Sequence, residues 1–332
     1  MEEIGLIDSM NTKPLLSINI PTYNRSHFLS AILSAMAEDV KKLGDTVEIV
    51  ILDNCSADNT EDVVSDKPWG FDVNYIRNAS NIGPQANIHM AHRVGSGHYV
   101  WVMGDDDFLK PGQLLRIVET LRKGPELVLL SYDKLTPDRR YIGCVDAGES
   151  DFFINRFDAD FDIGKIDALI GFLSANIIRR DWIDKFSEQE YIELDRKGEL
   201  AHAIIYYNAI ASGGQLAYLS GKPLIQTMDN GYLRHDYWVY VCVQYCCMLP
   251  EELVSLGFDS KVVRPFFKRR LLKESIKRML AETYRGHDAR QVFKNGLLRA
   301  NLGLAYALLL PFLLVPSWLI RFVYDTVKTK RA

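Results

Sequence analysis

The 332-residue chain lacks the glycine cradles that commonly hold nucleotides. No GxGxxG follows its first apolar run, which removes the dinucleotide fingerprint. No glycine loop ends in Lys-Ser or Lys-Thr, which removes a Walker-type phosphate loop. A nucleotide bound here must be held by side chains and a metal instead. Paired CxxC motifs are also missing. The five cysteines, Cys55, Cys144, Cys242, Cys246 and Cys247, are odd in number and scattered, which argues against a zinc site and for a reducing compartment. Met1 to Lys13 is polar and acidic, without the apolar core of a signal peptide, so a chain made and kept in the cytosol is expected. There is no internal repeat and no low-complexity tract. A net charge of −4 gives no global pull toward nucleic acid, and no nucleic-acid partner is expected.

What is present is an ordinary globular composition, 48% hydrophobic and 25% charged, with room for one large domain and an appendage or for two domains. Apolar runs expected as strands begin at Leu15, Val47, Val73, Tyr99 and Leu127. Helical patterns separate them: Phe28, Leu29, Ile32, Leu33 and Met36 share one face, and Ile88, Ala91 and Val94 share another. Alternating strands and helices with short connections predict an α/β fold, a mostly parallel sheet with helices on both faces. Polar residues recur where the strands end: Thr22 and Asn24, then Asp53 and Asn54, then Arg77 and Asn81, then Asp105, Asp106 and Asp107. Parallel strand ends share one edge and can line one crevice, although any single Asn or Asp there also reads as a turn residue.

The fourth run, Tyr99 to Phe108, organises the rest. Gly104 lets the chain turn after a packed strand, Pro111 stands where a helix begins, and Leu114, Leu115, Val118 and Leu121 follow at helical spacing. Three adjacent carboxylates repel one another unless a cation neutralises them. Hard oxygen donors on a short turn suit Mg²⁺ or Mn²⁺ shared with substrate phosphates. The plainer alternative is a solvated acidic turn that caps the next helix.

Four stretches together resemble family 2 glycosyltransferases of the GT-A fold: Ser17 to Arg25 (SINIPTYNR), Ile49 to Thr60 (IVILDNCSADNT), Asn81-Ile82-Gly83, and Gly104 to Asp107. Gly171 to Arg180 (GFLSANIIRR) adds a likeness to the abequosyltransferase-like subgroup. The resemblance implies a Rossmann-like GT-A domain over 1–230, with a nucleotide-sugar half at about 14–131 and an acceptor half at about 132–230. It implies that Pro21, Thr22, Tyr23, Asn24 and Arg25 touch the base and ribose of a nucleotide sugar. Asp53, beside Asn54, would accept a hydrogen bond from the base. Residues from Arg77 to Asn81 would border base and ribose. Asp105, beside Asp106, would face the ribose or sugar, and Asp107, with Asp105, would hold a Mn²⁺ or Mg²⁺ that bridges the diphosphate.

The second half carries weaker patterns. Asp133 to Gly164 reads as a flap or a hairpin insertion, Gly171 to Ile178 as a strand, and Arg179-Arg180-Asp181 as a phosphate-facing cluster or a solvated helix start. Inverting members of the family carry a Glu-Asp pair at a helix start in this region, with the aspartate as general base. This chain has Gly198-Glu199-Leu200-Ala201-His202 there, so Glu199, His202 and Asp195 are the candidates, in that order. Retention, as a 3,6-dideoxyhexosyl transfer of the abequose type requires, needs no such base, and both outcomes stay open. Gln226 to Asp236 reads as an acceptor contact, a completion of the diphosphate site through His235 and Asp236, or a surface loop. Tyr237 to Leu249 reads as an apolar helix.

Residues 231–332 are expected to form a helical, membrane-associating region. Lys261 to Arg299 holds 12 Lys or Arg against 3 acids, with Phe266, Phe267, Leu271, Leu272 and Ile276 at helical spacing. Residues 300–320 carry no charge but contain Pro311 and Pro316, and both flanks are basic. Positive charge on both sides favours a monotopic or re-entrant anchor over a span or a buried core helix. The expectation is a peripheral or monotopic enzyme on the cytoplasmic face of the cell membrane. It would move a sugar from a nucleotide-sugar donor to a lipid-linked oligosaccharide in bacterial surface-polysaccharide synthesis. A sugar nucleotidyltransferase, or a membrane-tethered nucleotide- or glycan-binding protein without turnover, is the alternative.

Overall fold

The structure is a computed structural model that describes residues 13–66, 69–136, 138–198, 201–227, 246, 248–284, 315–316 and 318–319. By internal contacts the chain divides into two compact units, Met1–Tyr191 with Ile205–Asp229, and Ile192–Ile204 with Asn230–Ala332.

The first unit is built on one sheet. Its strands are β1 (Leu16–Thr22), β2 (Val47–Asp53), β3 (Asn74–Arg77), β4 (Tyr99–Val102), β5 (Phe108–Leu109), β6 (Leu127–Leu135), β7 (Tyr141–Val145), β8 (Phe152–Ile154), β9 (Asn176–Arg179) and β10 (Leu216–Thr227). The order across the sheet is β3-β2-β1-β4-β9-β6-β10-β5, with β7 beside β6 and β8 beside β10. Strand β1 is buried on both faces, so even Ser17 and Asn19 are out of water. A central parallel strand has this character, and its polar side chains must find partners. Asn19 Nδ2 donates to the carbonyls of Ala91 (2.6 Å) and Val94 (3.0 Å), which ties β1 to helix α3 (Pro84–Arg93).

The expected mostly parallel sheet needs correction: the sheet is mixed. Strands β3, β2, β1 and β4 run parallel, but β9 returns antiparallel between β4 and β6, and β7 folds back on β6 as a hairpin. The reason is local. The chain reverses at the β6–β7 hairpin, and β7, β8 and β9 all then run opposite to β6. The stretch 133–164 accordingly forms a hairpin and the short strand β8.

Helix α1 (Ser26–Leu43) buries Leu29, Ile32, Leu33 and Met36 as its spacing predicts. Helix α4 (Gln113–Leu121) buries Leu114, Val118 and Leu121. Helix α3 departs from expectation, because its buried positions include Asn87, His89 and His92. Asn87 Nδ2 donates to Leu52 O, and His92 lies 3.2 Å from the Tyr206 hydroxyl. Arg180 is neither phosphate-facing nor solvated, because it donates to the carbonyls of Gly97 and Val94.

In the second unit the helix Ser260–Tyr284 buries Val263, Phe267 and Leu271 and exposes Lys261, Val262, Arg264, Lys268 and Arg269. Among the described residues no helix is long and apolar enough to cross a membrane. The apolar stretch 300–314, most of 226–236 and most of 237–249 lie outside the described residues.

Candidate functional site

The parallel register of β1, β2, β3 and β4 brings their carboxyl ends to one edge. At the end of β1, Thr22 Oγ1 donates to Asp105 Oδ2 at 2.8 Å. Arg25, at the start of α1, donates from Nη1 to Asp105 Oδ1 (3.0 Å) and to Asp106 Oδ2 (2.9 Å). Between them Asn24 adopts φ +54°, a left-handed conformation that Asn tolerates better than most residues. That geometry lets its backbone N–H reach Ser56 Oγ while its Oδ1 accepts from Ala57 N, fastening the loop after β1 to the loop after β2. Pro21 is half-buried, and the Tyr23 side chain stands 43% exposed beside this edge.

Asp53, at the end of β2, is wholly buried and accepts four hydrogen bonds, from Ser56 N, Ser56 Oγ, Tyr75 Oη and Arg77 Nη1. Burial and the acceptor Asp53 push the Tyr75 hydroxyl up to about 12. Asn54 links the neighbouring loops. Its Nδ2 donates to Asn81 Oδ1 (3.0 Å), and its Oδ1 accepts from Ile82 N and Asn78 Nδ2. Tyr75 and Asn87 are therefore also part of the edge, although nothing in their spacing singles them out, whereas Asn78, which donates to Asn54 and Asn87, falls inside the stretch from Arg77 to Asn81 expected there.

The acidic turn follows β4. Asp105, Asp106 and Asp107 are only 7%, 9% and 3% exposed, so the turn is not a solvated cap. Asp107 Oδ2 accepts from Ser174 Oγ at 2.6 Å, and its Oδ1 accepts a longer bond from Thr227 N, at the end of β10. Burial drives the Asp107 carboxyl well above its ordinary value, and the charge of Asp106 adds to this. Asp105 is pushed up to about 6 by burial, with Arg25 pulling it back. Burial alone would lower Arg25, but the two facing carboxylates more than reverse that. One guanidinium, that of Arg25, thus contacts two of the three buried carboxylates, Asp105 and Asp106.

A family model for "Glycosyl transferase family 2" matches residues 17–186, about half of the chain and the whole of this edge. The chain belongs to glycosyl transferase family 2. Among curated relatives, this transferase is 27% identical over 226 residues to the abequosyltransferase RfbV of Salmonella typhimurium (strain LT2), covering 64% of this chain and 66% of that one. It is 33% identical over 114 residues to the GalNAc(5)-diNAcBac-PP-undecaprenol beta-1,3-glucosyltransferase of Campylobacter jejuni, covering 33% of this chain and 36% of that one. The matches thus span less than two thirds of either relative. Residues 1–349 of S. aureus TarS, crystallised with UDP, share the fold at a TM-score of 0.59 and 17% identity, over 88% of this chain and 87% of that one. The fold is accordingly the GT-A-like glycosyltransferase fold.

The acidic turn fits a divalent cation of the kind that borrows substrate oxygens. Among the described residues no group of three or more His, Cys, Asp or Glu side chains is arranged to hold a metal unaided. Mg²⁺ and Mn²⁺ sites, however, often use one or two carboxylates together with substrate phosphates. Gly104 shows where such carboxylates converge. A Cβ placed there would lie 2.8 Å from Asp107 Oδ2, 3.3 Å from Asp106 Oδ1 and 3.4 Å from Ser174 Oγ. The glycine is required for space. In Gly104→Ala the Asp107 carboxylate must move, and steady-state kinetics should show sugar transfer falling by about a hundredfold, the scale of an ångström-sized misplacement.

Of the three base candidates, only His202 is described to its side chain. Glu199 lies outside the described residues, and Asp195 lies in helix α7 (Glu188–Gly198) with its side chain undescribed. His202, in helix α8 (Ala201–Ala211), is held down to about 4 by burial and is neutral near pH 7. Ser174 was not among the sequence candidates. Its only sequence cue is its place inside the Gly171–Arg180 stretch, which sets no role for it.

Proposed function

We propose that this transferase moves a sugar from a nucleotide-sugar donor to a lipid-linked glycan at the cytoplasmic face of a bacterial membrane, in the synthesis of a surface polysaccharide. The observation that carries the reading is the buried run of three carboxylates at the common edge of four parallel strands. In open α/β sheets that edge is where ligands bind. Thr22, Tyr23, Asn24 and Arg25 flank the base and ribose, Asp53 and Arg77 border the base, and Asn54 and Asn81 hold the loops in shape. Asp107, with Asp105, presents oxygens to a Mn²⁺ or Mg²⁺, while Asp105 and Asp106 together fix Arg25. When bound, that cation supplies Lewis-acid stabilisation of the departing nucleoside diphosphate. The side chains supply the pre-organisation, since their oxygens are oriented before the glycosidic bond breaks.

The lipid-linked acceptor is supported by the likeness to the undecaprenol-linked glucosyltransferase of Campylobacter, and an abequosyl-type donor by the likeness to the abequosyltransferase of Salmonella. Membrane association is supported by the exposed Lys261, Lys268 and Arg269 of the helix Ser260–Tyr284. Each basic side chain near anionic lipid adds about 1 kcal/mol.

The test is a thermal-shift screen of detergent-solubilised chain against UDP, GDP, CDP and dTDP, each with Mn²⁺, with Mg²⁺ and with EDTA. A ligand that binds only the native state raises the melting temperature. A metal-dependent rise with one nucleotide is expected, followed by transfer from the matching nucleotide sugar. No rise with any nucleotide rejects the reading.

A further inference from the structure

Ser174 lies far from the acidic turn in sequence, yet it is wholly buried against it. Its Oγ accepts from Gly104 N at 2.8 Å and lies 2.6 Å from Asp107 Oδ2. A hydroxyl has one proton. With the Gly104 N–H occupying one of its lone pairs, that proton is directed at Asp107. The serine is itself immobilised. It sits in the turn Leu173–Ala175, and its carbonyl accepts from Trp101 Nε1, on β4, at 2.8 Å. The hydroxyl therefore bridges the backbone that makes the acidic turn and the carboxylate at its end.

We propose that Ser174 is the positioning residue of the cation site, holding Asp107 in the orientation that a divalent cation and its nucleoside diphosphate require. The proposal rests on the metal-assisted reading above. Asp107 has two further restraints, the long bond from Thr227 N and crowding at Gly104, and neither fixes the rotation of the carboxylate as a short directed bond does. Groups that orient a metal ligand from behind typically change metal affinity by about 10–100-fold when removed.

The test compares Ser174→Thr with Ser174→Val in the full chain. The two side chains have the same shape, and only the threonine keeps a hydroxyl. Mn²⁺ binding is read from loss of the free-ion electron paramagnetic resonance signal with an equimolar mixture of UDP, GDP, CDP and dTDP present, beyond the loss that the same mixture causes without protein. The expected result is Mn²⁺ affinity near that of the unaltered chain for Ser174→Thr and weaker by about tenfold or more for Ser174→Val. In transfer assays the Mn²⁺ concentration for half-maximal rate should rise by a similar factor, with the rate largely recovered at saturating Mn²⁺. Circular dichroism confirms that both variants fold, and if either does not, Ser174→Cys, which keeps the shape but donates weakly, takes the place of Ser174→Val. Equal Mn²⁺ affinity with and without the hydroxyl overturns the proposal while leaving the metal-assisted reading intact. Absence of Mn²⁺ binding by the unaltered chain overturns both.

Discussion

Asp107→Asn should abolish transfer while making the protein more stable. The substitution removes the oxygen charge that a cation needs, and Lewis-acid assistance is worth several kcal/mol of barrier, so turnover should fall on the order of 10³-fold. The same substitution removes a carboxylate that burial and Asp106 hold above its ordinary value in the folded chain. An asparagine oxygen can still accept from Ser174, so only the longer Thr227 contact is at risk. The metal-free variant should therefore melt higher, by about 2 °C or more. A radiolabelled transfer assay and a thermal melt in EDTA, on the same preparation, check both halves. An active site that is strained for its ligand shows this opposition of activity and stability. Unchanged turnover at saturating donor would remove Asp107 from the site.

Arg25→Ala should do the reverse, lowering stability and activity together. Arg25 contacts two buried carboxylates, and its loss removes an ion pair from each. Breaking a buried pair from one side costs about 3–5 kcal/mol, and the partly exposed guanidinium puts this case near about 3 kcal/mol. The deficit should depend on pH. Asp105 already stands at about 6 with Arg25 present, above its unfolded value, and rises further without it. A raised carboxyl favours the folded state at low pH and loses that advantage as pH rises through its folded value. The Arg25→Ala deficit should be largest at pH 7–8 and shrink toward pH 5, which urea unfolding at a series of pH values measures. A deficit independent of pH would mean that Arg25 acts by packing alone.

Much of this was legible in the chain. Strands β1, β2 and β4 are runs of buried β-branched and aromatic residues that end in polar ones, and a parallel sheet turns those endings into a shared edge. The acidic turn was legible for the same reason. What the pattern did not carry is direction and partnership. Strand β9 is four residues long. An apolar run of that length reads the same whether it lies parallel or antiparallel, so the mixed sheet was missed. On α3, periodicity points at Ile88, whereas Asn87 and His92 are buried because distant Leu52 and Tyr206 supply their partners. Arg25 looked like part of a nucleotide loop, and its hold on Asp105 spans 80 positions that no local window joins. Ser174 was hidden similarly, since a serine before a strand is ordinary until Asp107 is placed against it.

The antiparallel β9 also sets an order of events during synthesis. It pairs with β4 on one side and with β6 on the other, and both of those strands leave the ribosome first. Until residues 176–179 emerge, β4 and the beginning of β6 each present an open edge with nothing to join them. The parallel block β3-β2-β1-β4 can assemble early from near neighbours. The rest of the sheet can only be stitched to it late, by a four-residue strand. Because Ser174 arrives with that strand, Asp107 lacks its serine partner until the seam closes, and the acidic turn is fastened only when the sheet becomes continuous.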